Sequence, residues 1–260
     1  MSFNKCSLSV WCWLAFINSL IAFARPLPAE TLIMAVGLAI PPYIIKEGDK
    51  GMELDIVREI LEKEGYTIHL VYLPLVRVVK HIADGTVDAA MTLNQKAGLN
   101  NVFLSDSHIT YQNAAISLAK HNYHIDSVDD LADKSIVAFQ NATLYLGDAF
   151  AKMAVNNSRY SEKARQATQV TMLFDKRVDT VVMDINIFKY YRVVEKKYVD
   201  TSLPVTIHKI FPPSHYSVAF KSKTARDKFN RGLKALKRSG RYDEIIRQYI
   251  PFAVNNRDIQ

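Results

Sequence analysis

"RVDTVVMDINIFKYY", residues 177–191, is the stretch that decides how this chain is read. Residues 178–183 are mostly β-branched or apolar and read as a buried strand, yet the run stops on a carboxylate, Asp184. Ile185 and residues 187–191 continue as a largely apolar segment that suits a helix. An acid at a strand-to-helix junction has two explanations. In open parallel sheets ligands bind beyond the carboxyl ends of the strands, where helices begin, and the positive helix N-terminus favours an acid there. Asp is also a common helix N-cap, with no ligand needed. Both explanations stand on the residues alone. A partly buried carboxylate at a cleft rim is a natural seat for an ammonium group.

Outward from this segment, strand and helix signals alternate. Residues 32–38, 67–73, 87–91, 114–120 and 135–140 read as extended, as do stretches near 205–210 and 216–221. Helices are predicted over 52–65, ending at Gly65, from Pro74 to near Gly85, over 144–154 and around 170–174. Two more close the chain, within 221–241 and at "YDEIIRQYI" (242–250). Such alternation predicts βαβ units and mostly parallel sheets, an α/β fold. "DGTVD" (84–88) and "DKRVD" (175–179) each end a helix and start a strand, a short echo consistent with two such units. With the extended stretches at 114–120 and 216–221, the expectation is two α/β lobes linked by two crossing strands.

Residues 1–24 stand apart. Lys5 precedes an apolar run from Val10 to Ala24, and "AFAR" (22–25) offers small residues at the positions a signal peptidase reads. A cleaved signal peptide and a periplasmic location are the expectation. Cleavage would remove both cysteines, Cys6 and Cys12, and with them any disulfide, thiolate nucleophile or Cys-ligated metal. No later run is long and apolar enough to span a bilayer.

The formal net charge is +7, and basic residues cluster in 221–241. Phe229, Leu233 and Leu236 recur among them at helical spacing, so the cluster reads as the solvated face of an amphipathic helix and not as a nucleic-acid site. His121 and His124 sit in a polar linker without acids at ligand spacing, so no metal is expected. Gly-x-Ser-x-Gly, P-loop and Gly-x-Gly-x-x-Gly motifs are absent from the sequence, and no cofactor is expected.

Residues 41–91, from the Pro-Pro turn through "GMELDIVREILEKEG" to "DGTVDAAM", resemble the N-terminal lobe of bacterial periplasmic solute-binding proteins of the amino-acid-binding family, family 3. "FLSDSHITYQ" (103–112) is similar to the segment before the family's crossover, and "DDLADKSIVAFQNAT" (129–143) to its entry into the second lobe. "RVDTVVMD" and "KALKRSGRYDEIIRQYI" complete a match over nearly the whole chain after residue 24. The resemblance implies a type 2 two-lobed fold, with residues 26–115 and 220–260 in lobe 1 and 120–215 in lobe 2. It implies a monomeric, non-enzymatic receptor for a small polar, amine-bearing solute (an amino acid, polyamine or similar), partnered by an ABC permease or, alternatively, a membrane sensor kinase. An enzyme on the same fold, like the cyclohexadienyl dehydratases, is the other class it leaves open.

In the amino-acid binders of that family the acid closing the "VDxVVxD" strand receives the ligand's ammonium, which implies that role for Asp184. The family's carboxylate-binding arginine is missing: 92–105 contains none, and Gly98 falls at its position with Lys96 nearby. The helix start at Asn141, Ala142 and Thr143 offers backbone N–H groups and a hydroxyl for an anion, although Thr143 also suits plain capping. Ile40, Tyr43, Leu75, Arg77, Thr92, Asn94 and Gln95 are the remaining candidate ligand contacts, with Arg77 better suited to a solvated helix face.

Overall fold

The computed structural model describes residues 29–38 and 40–250, with the backbone alone at Leu75 and Lys96. The expected signal peptide at 1–24 and residues 251–260 of the expected first lobe lie outside the described residues. The first part of the chain contributes β1 (Glu30–Gly37), α1 (Met52–Lys63), β2 (Tyr66–Leu73), α2 (Leu75–Asp84), β3 (Ala89–Leu93), β4 (Phe103–Leu104) and β5 (Ile109–Tyr111). After Gln112 come β6 (Asn113–Leu118), β7 (Ile136–Phe139), α3 (Ala142–Tyr145), α4 (Asp148–Asn156), β8 (Tyr160–Lys163), α5 (Gln166–Phe174), β9 (Thr180–Asp184), α6 (Ile185–Val194) and β10 (Val205–His208). The chain returns through β11 (Ser214–Phe220), α7 (Lys223–Arg238) and α8 (Arg241–Tyr249).

These strands form two sheets. One runs β2-β1-β3-β11-β4, with β5 also paired to β11; the other runs β10-β6-β9-β7-β8. The chain passes from the first to the second at Gln112, between β5 and β6, and back between β10 and β11. In the first sheet β1 and β3 are parallel, and in the second β7 is parallel to both β8 and β9. The antiparallel pairings all involve the strands flanking the crossings: β11 against β3, β4 and β5, and β6 against β9 and β10. The sheets are therefore mixed, with parallel βαβ strands beside antiparallel strands that carry the chain between sheets.

The opening segment folds as its pattern requires. All five residues of β9 are buried, as a strand covered on both faces must be, and α6 buries Ile185, Ile187, Phe188 and Arg192. The helix predicted over 144–154 is two helices, α3 and α4, broken at Gly147. Its φ of 92° is open to glycine and costly in a helix. β8 was not legible, because "YSEK" is a short polar edge strand with no apolar alternation. The strand expected at 87–91 lies two residues later, at 89–93.

The basic segment forms α7, capped by the Ser222 hydroxyl, which accepts from the Ala225 N–H. Ala225, Phe229, Leu233 and Leu236 face inward, while Lys223, Arg231, Lys234, Lys237 and Arg238 are exposed. α7 crosses α1 closely at Gly232, where a Cβ would lie 2.8 Å from the Ile60 side chain.

One glycine sets the loop that matters for the site. Gly51 precedes α1 with φ 136°, and a Cβ there would fall 2.3 Å from the Tyr43 carbonyl oxygen. Only glycine lets residues 42–44 lie on the helix start, where Met52 donates to Pro42 and Glu53 to Tyr43. Gly51→Ala should therefore cost about 2–4 kcal/mol of stability. Urea unfolding of the variant reads this as a lowered midpoint, and a midpoint equal to wild type would mean that the loop yields freely.

Candidate functional site

Asp184 closes β9 and opens α6, and its carboxylate is buried, 2% exposed. Oδ1 accepts from the Asn186 and Ile187 N–H groups at 2.8 and 3.0 Å, so the helix cap is real. The same oxygen accepts from the Tyr43 hydroxyl at 3.0 Å, and Oδ2 accepts from the Gln112 N–H at 2.8 Å. Tyr43 belongs to the loop after β1, and Gln112 is the crossing residue itself. One carboxylate thus joins the first sheet's loop, the crossing and the second sheet's helix. Gln112 strengthens the junction by accepting from Ile185 N–H at 2.9 Å and donating its side-chain amide to Phe211 O, on the return crossing, at 2.8 Å. A carboxylate has about four acceptor positions. Three of these bonds crowd onto Oδ1, while Oδ2 takes one and keeps capacity for a further donor.

Burial raises the Asp184 pKa to about 6, against the lowering pull of its hydrogen bonds from Ile187, Gln112, Tyr43 and Asn186. Burial, and then the Asp184 charge, hold the Tyr43 hydroxyl well above its ordinary value, so it stays a donor. Asn186 donates its side-chain amide to the same hydroxyl at 3.1 Å.

Tyr43 is held from behind. Its ring stacks on Tyr111 with centroids 3.7 Å apart, and Tyr111 meets Tyr216 edge-on at 4.9 Å. The Tyr111 hydroxyl donates to Glu53 Oε2 at 2.9 Å. Glu53, fully buried, accepts on Oε1 from the Thr92 hydroxyl at 2.7 Å and from His108 Nε2 at 3.0 Å. Thr92 adopts φ 59°, a left-handed conformation that a β-branched residue reaches only under strain. The path Glu53–Tyr111–Tyr43–Asp184 is continuous from the first sheet's helix to the second sheet's.

The expected anion seat at Asn141–Thr143 is occupied by the protein itself. Glu162, on β8, accepts from Asn141 N–H at 2.6 Å and from the Thr143 N–H and hydroxyl at 3.3 and 3.4 Å. The Tyr160 hydroxyl adds a fourth bond at 2.8 Å. Partial burial raises the Glu162 carboxyl, but the bonds from Tyr160, Asn141 and Thr143 outweigh it and leave the pKa below the ordinary value. Ala142 is buried, and Thr143 reaches Glu162 instead of capping.

The other candidates separate. Ile40 packs at the edge of the core beside Tyr43, bridged to Ile44. Arg77 lies exposed on α2, Gln95 is exposed, and Asn94 is half-buried just past β3. Gly98 has φ 62° and open space around its Cα. Leu38, Val76, Leu144 and Tyr145, each 49% exposed or more, are apolar side chains that follow the carboxyl ends of β1, β2 and β7. Burial first, then Glu53, Tyr145 and Asp184, raise the Tyr216 hydroxyl's pKa. Sequence reasoning missed Glu162, Gln112, Asn186, Glu53 and His108. Only Glu53, the acid two residues after Gly51, had a local cue. Among the described residues no three His, Cys, Asp or Glu side chains are grouped to hold a metal ion.

The Asp184 pKa carries a sign that can be measured. Raised from 3.8 to about 6 in the folded chain, the group binds a proton between these values when folded and not when unfolded. Its stabilising contribution is present below the unfolded value and is lost as pH rises through about 6, a change of about 3 kcal/mol. Unfolding free energies measured between about pH 4 and pH 7 should show this fall in wild type and lack it in Asp184→Asn. Parallel pH profiles in the two proteins would refute the assignment.

The chain has structural relatives among known proteins. The solved structures it resembles include a GluR0 ligand-binding core in complex with L-glutamate, at a TM-score of 0.67 and 16% identity over 85% of this chain and 99% of that one. A histidine kinase sensor domain with similarity to periplasmic binding proteins superposes with a TM-score of 0.65 at 16% identity, covering 86% of this chain and 97% of that one. An amino acid ABC transporter substrate-binding protein from Streptococcus pneumoniae, bound to L-arginine, gives a TM-score of 0.61 at 20% identity over 85% and 94% of the two chains. At these identities the likeness is one of fold, the two-lobed type 2 periplasmic-binding-protein fold. No curated protein matches the chain in sequence. The model of the bacterial extracellular solute-binding proteins, family 3, matches residues 32–252, and the chain belongs to that family.

Proposed function

We propose that this protein is an exported receptor that clamps a small, polar, amine-bearing solute between two lobes, residues 26–115 with 220–260 and residues 120–215. Working as a monomer in the periplasm, it hands the solute to an ABC permease. The observation that carries this proposal is the Asp184 carboxylate, bonded at once to the loop of one sheet, the crossing and the helix of the other. A cation arriving at Asp184 competes with the Tyr43 hydroxyl or adds to Oδ2. Either change alters the bonds that relate the two sheets, which is how ligand binding drives hinge closure. The apolar side chains exposed past β1, β2 and β7 supply a surface for the solute's carbon skeleton.

A second role is favoured by one observation, the likeness to a histidine kinase sensor domain. There the same closure would be read by a membrane kinase instead of a permease, with the ligand chemistry unchanged.

A saturating ligand at a hundredfold excess over its dissociation constant stabilises the chain by ~2.7 kcal/mol, a melting shift of roughly 5–10 °C at this size. A thermal-shift screen of primary amines and amino acids should therefore find such a compound. Calorimetry should then show that Asp184→Asn loses ~2–5 kcal/mol of binding, because the cation loses its buried partner. The helix cap is preserved, since Asn caps nearly as well, and circular dichroism of Asp184→Asn checks that the binding loss is read on folded protein. In wild type the affinity should fall about tenfold per pH unit below about pH 6, where Asp184 takes up a proton. An amine that binds Asp184→Asn as tightly as wild type would remove Asp184 as the anchor.

A further inference from the structure

The carboxylate of Glu162 accepts from the Asn141 and Thr143 N–H groups and from the Thr143 hydroxyl of the Asn141–Thr143 turn. Four donors, two backbone N–H groups and two hydroxyls, converge on one side chain of the same chain. The arrangement is built by the sheet. β8 runs parallel to β7 with Glu162 opposite Ala138, so the end of β8 lies beside the turn that leaves β7 at Asn141. Asn141 itself has φ 64°, which directs the chain into that turn. The hydrogen bonds keep the Glu162 carboxyl ionised at neutral pH. A ligand carboxylate brought to this turn meets the filled Asn141 and Thr143 donors and a fixed negative charge.

The opposite end of the site lacks a guanidinium fork for a carboxylate. Residues 92–105 contain no arginine, Gly98 offers no side chain, and Lys96 is the one cation in that stretch. Asp184 is itself an acid. Val182 and Glu162 both stand opposite Ala138, so Asp184 and Glu162 share one edge of the sheet with only β7 between their strands. Strand spacing and rise put their Cα atoms roughly 12 Å apart. The two carboxylates are bonded alike: one oxygen accepts three donors and the other accepts a single N–H. Each keeps an oxygen with spare acceptor capacity. Leu144 and Tyr145, exposed on the helix that leaves the middle strand, provide apolar surface beside them.

We propose that Glu162 is a specificity-determining residue of the solute site, an internal carboxylate seated on the Asn141 and Thr143 donors that excludes carboxylate-bearing ligands and selects an organic cation without one, a primary diamine being the simplest. The proposal rests on the amine-receptor reading of Asp184. It separates this chain's ligand from the free α-amino acids by a single side chain.

The matched probes are 1,5-diaminopentane and L-lysine, which differ only by the carboxylate. Calorimetry on the purified protein should give an affinity for the diamine at least tenfold above that for L-lysine. Glu162→Ala, which empties the donors, should narrow or invert that ratio by at least tenfold. Glu162→Gln keeps the side chain's shape and removes its charge, and should narrow the ratio even where the alanine variant folds poorly. Wild-type protein that prefers L-lysine would overturn the proposal and leave the amine receptor standing. A diamine preference unchanged in both Glu162 variants would show that Glu162 does not set it. If neither probe nor any other amine binds wild type, the receptor reading fails and this proposal fails with it.

Discussion

A buried carboxylate is tolerated only where donors replace the water it gives up. Asp184 meets that demand with four, and their origin is what organises the molecule. Two come from the helix it caps, one from the residue where the chain crosses between sheets, and one from a tyrosine in the loop after the first strand. Helix α6 starts where it does because the cap fixes it. The crossing at Gln112 is pinned because its N–H and C=O are both engaged at the same junction. The loop carrying Tyr43 is pressed inward by Gly51 and by the stack on Tyr111. Remove the Asp184 side chain and these three segments lose the acceptor at which they meet.

The second buried acid works from the other side. Glu53 gathers Thr92, His108 and Tyr111, and it does so at the cost of a left-handed Thr92. His108 Nδ1 is left without a hydrogen-bond partner, so the cluster is held by its other members. Its effect is to fix Tyr111 as a platform, which in turn orients the Tyr43 hydroxyl toward Asp184. Under the proposed function, a fixed hydroxyl gives an arriving cation a defined contact to displace, and rigidity behind the site supports that role.

Much of this was legible in the chain. "TVVMDINIF" gave a buried strand, an acid and a helix, because apolar runs and capping chemistry are local properties. The basic stretch at 221–241 was legible as a solvated face for the same reason, its apolar residues recurring at helical spacing on α7. Gly147 was in plain view, but an apolar pattern on both sides of it hid the break between α3 and α4. The four residues of β8 carry no periodic signal, since an edge strand of polar residues is defined by its neighbour and not by its own pattern. The Asn141–Thr143 turn was recognised as a donor site, yet nothing in 129–143 said that its donors would already be taken.

By itself the sequence determined the order and type of most elements (the short β4, β5 and β8 and the break between α3 and α4 excepted), the acid at the strand end and the absence of an arginine from 92–105. These follow from patterning, capping and composition, which act within a few residues. Only the tertiary structure decided which donors reach Asp184 and which carboxylate fills the turn at Asn141. Tyr43 lies 141 residues from Asp184, and Glu162 lies 21 from Asn141. Such pairs are fixed by sheet register and by the packing of buried charges, and both exist only once the strands have paired.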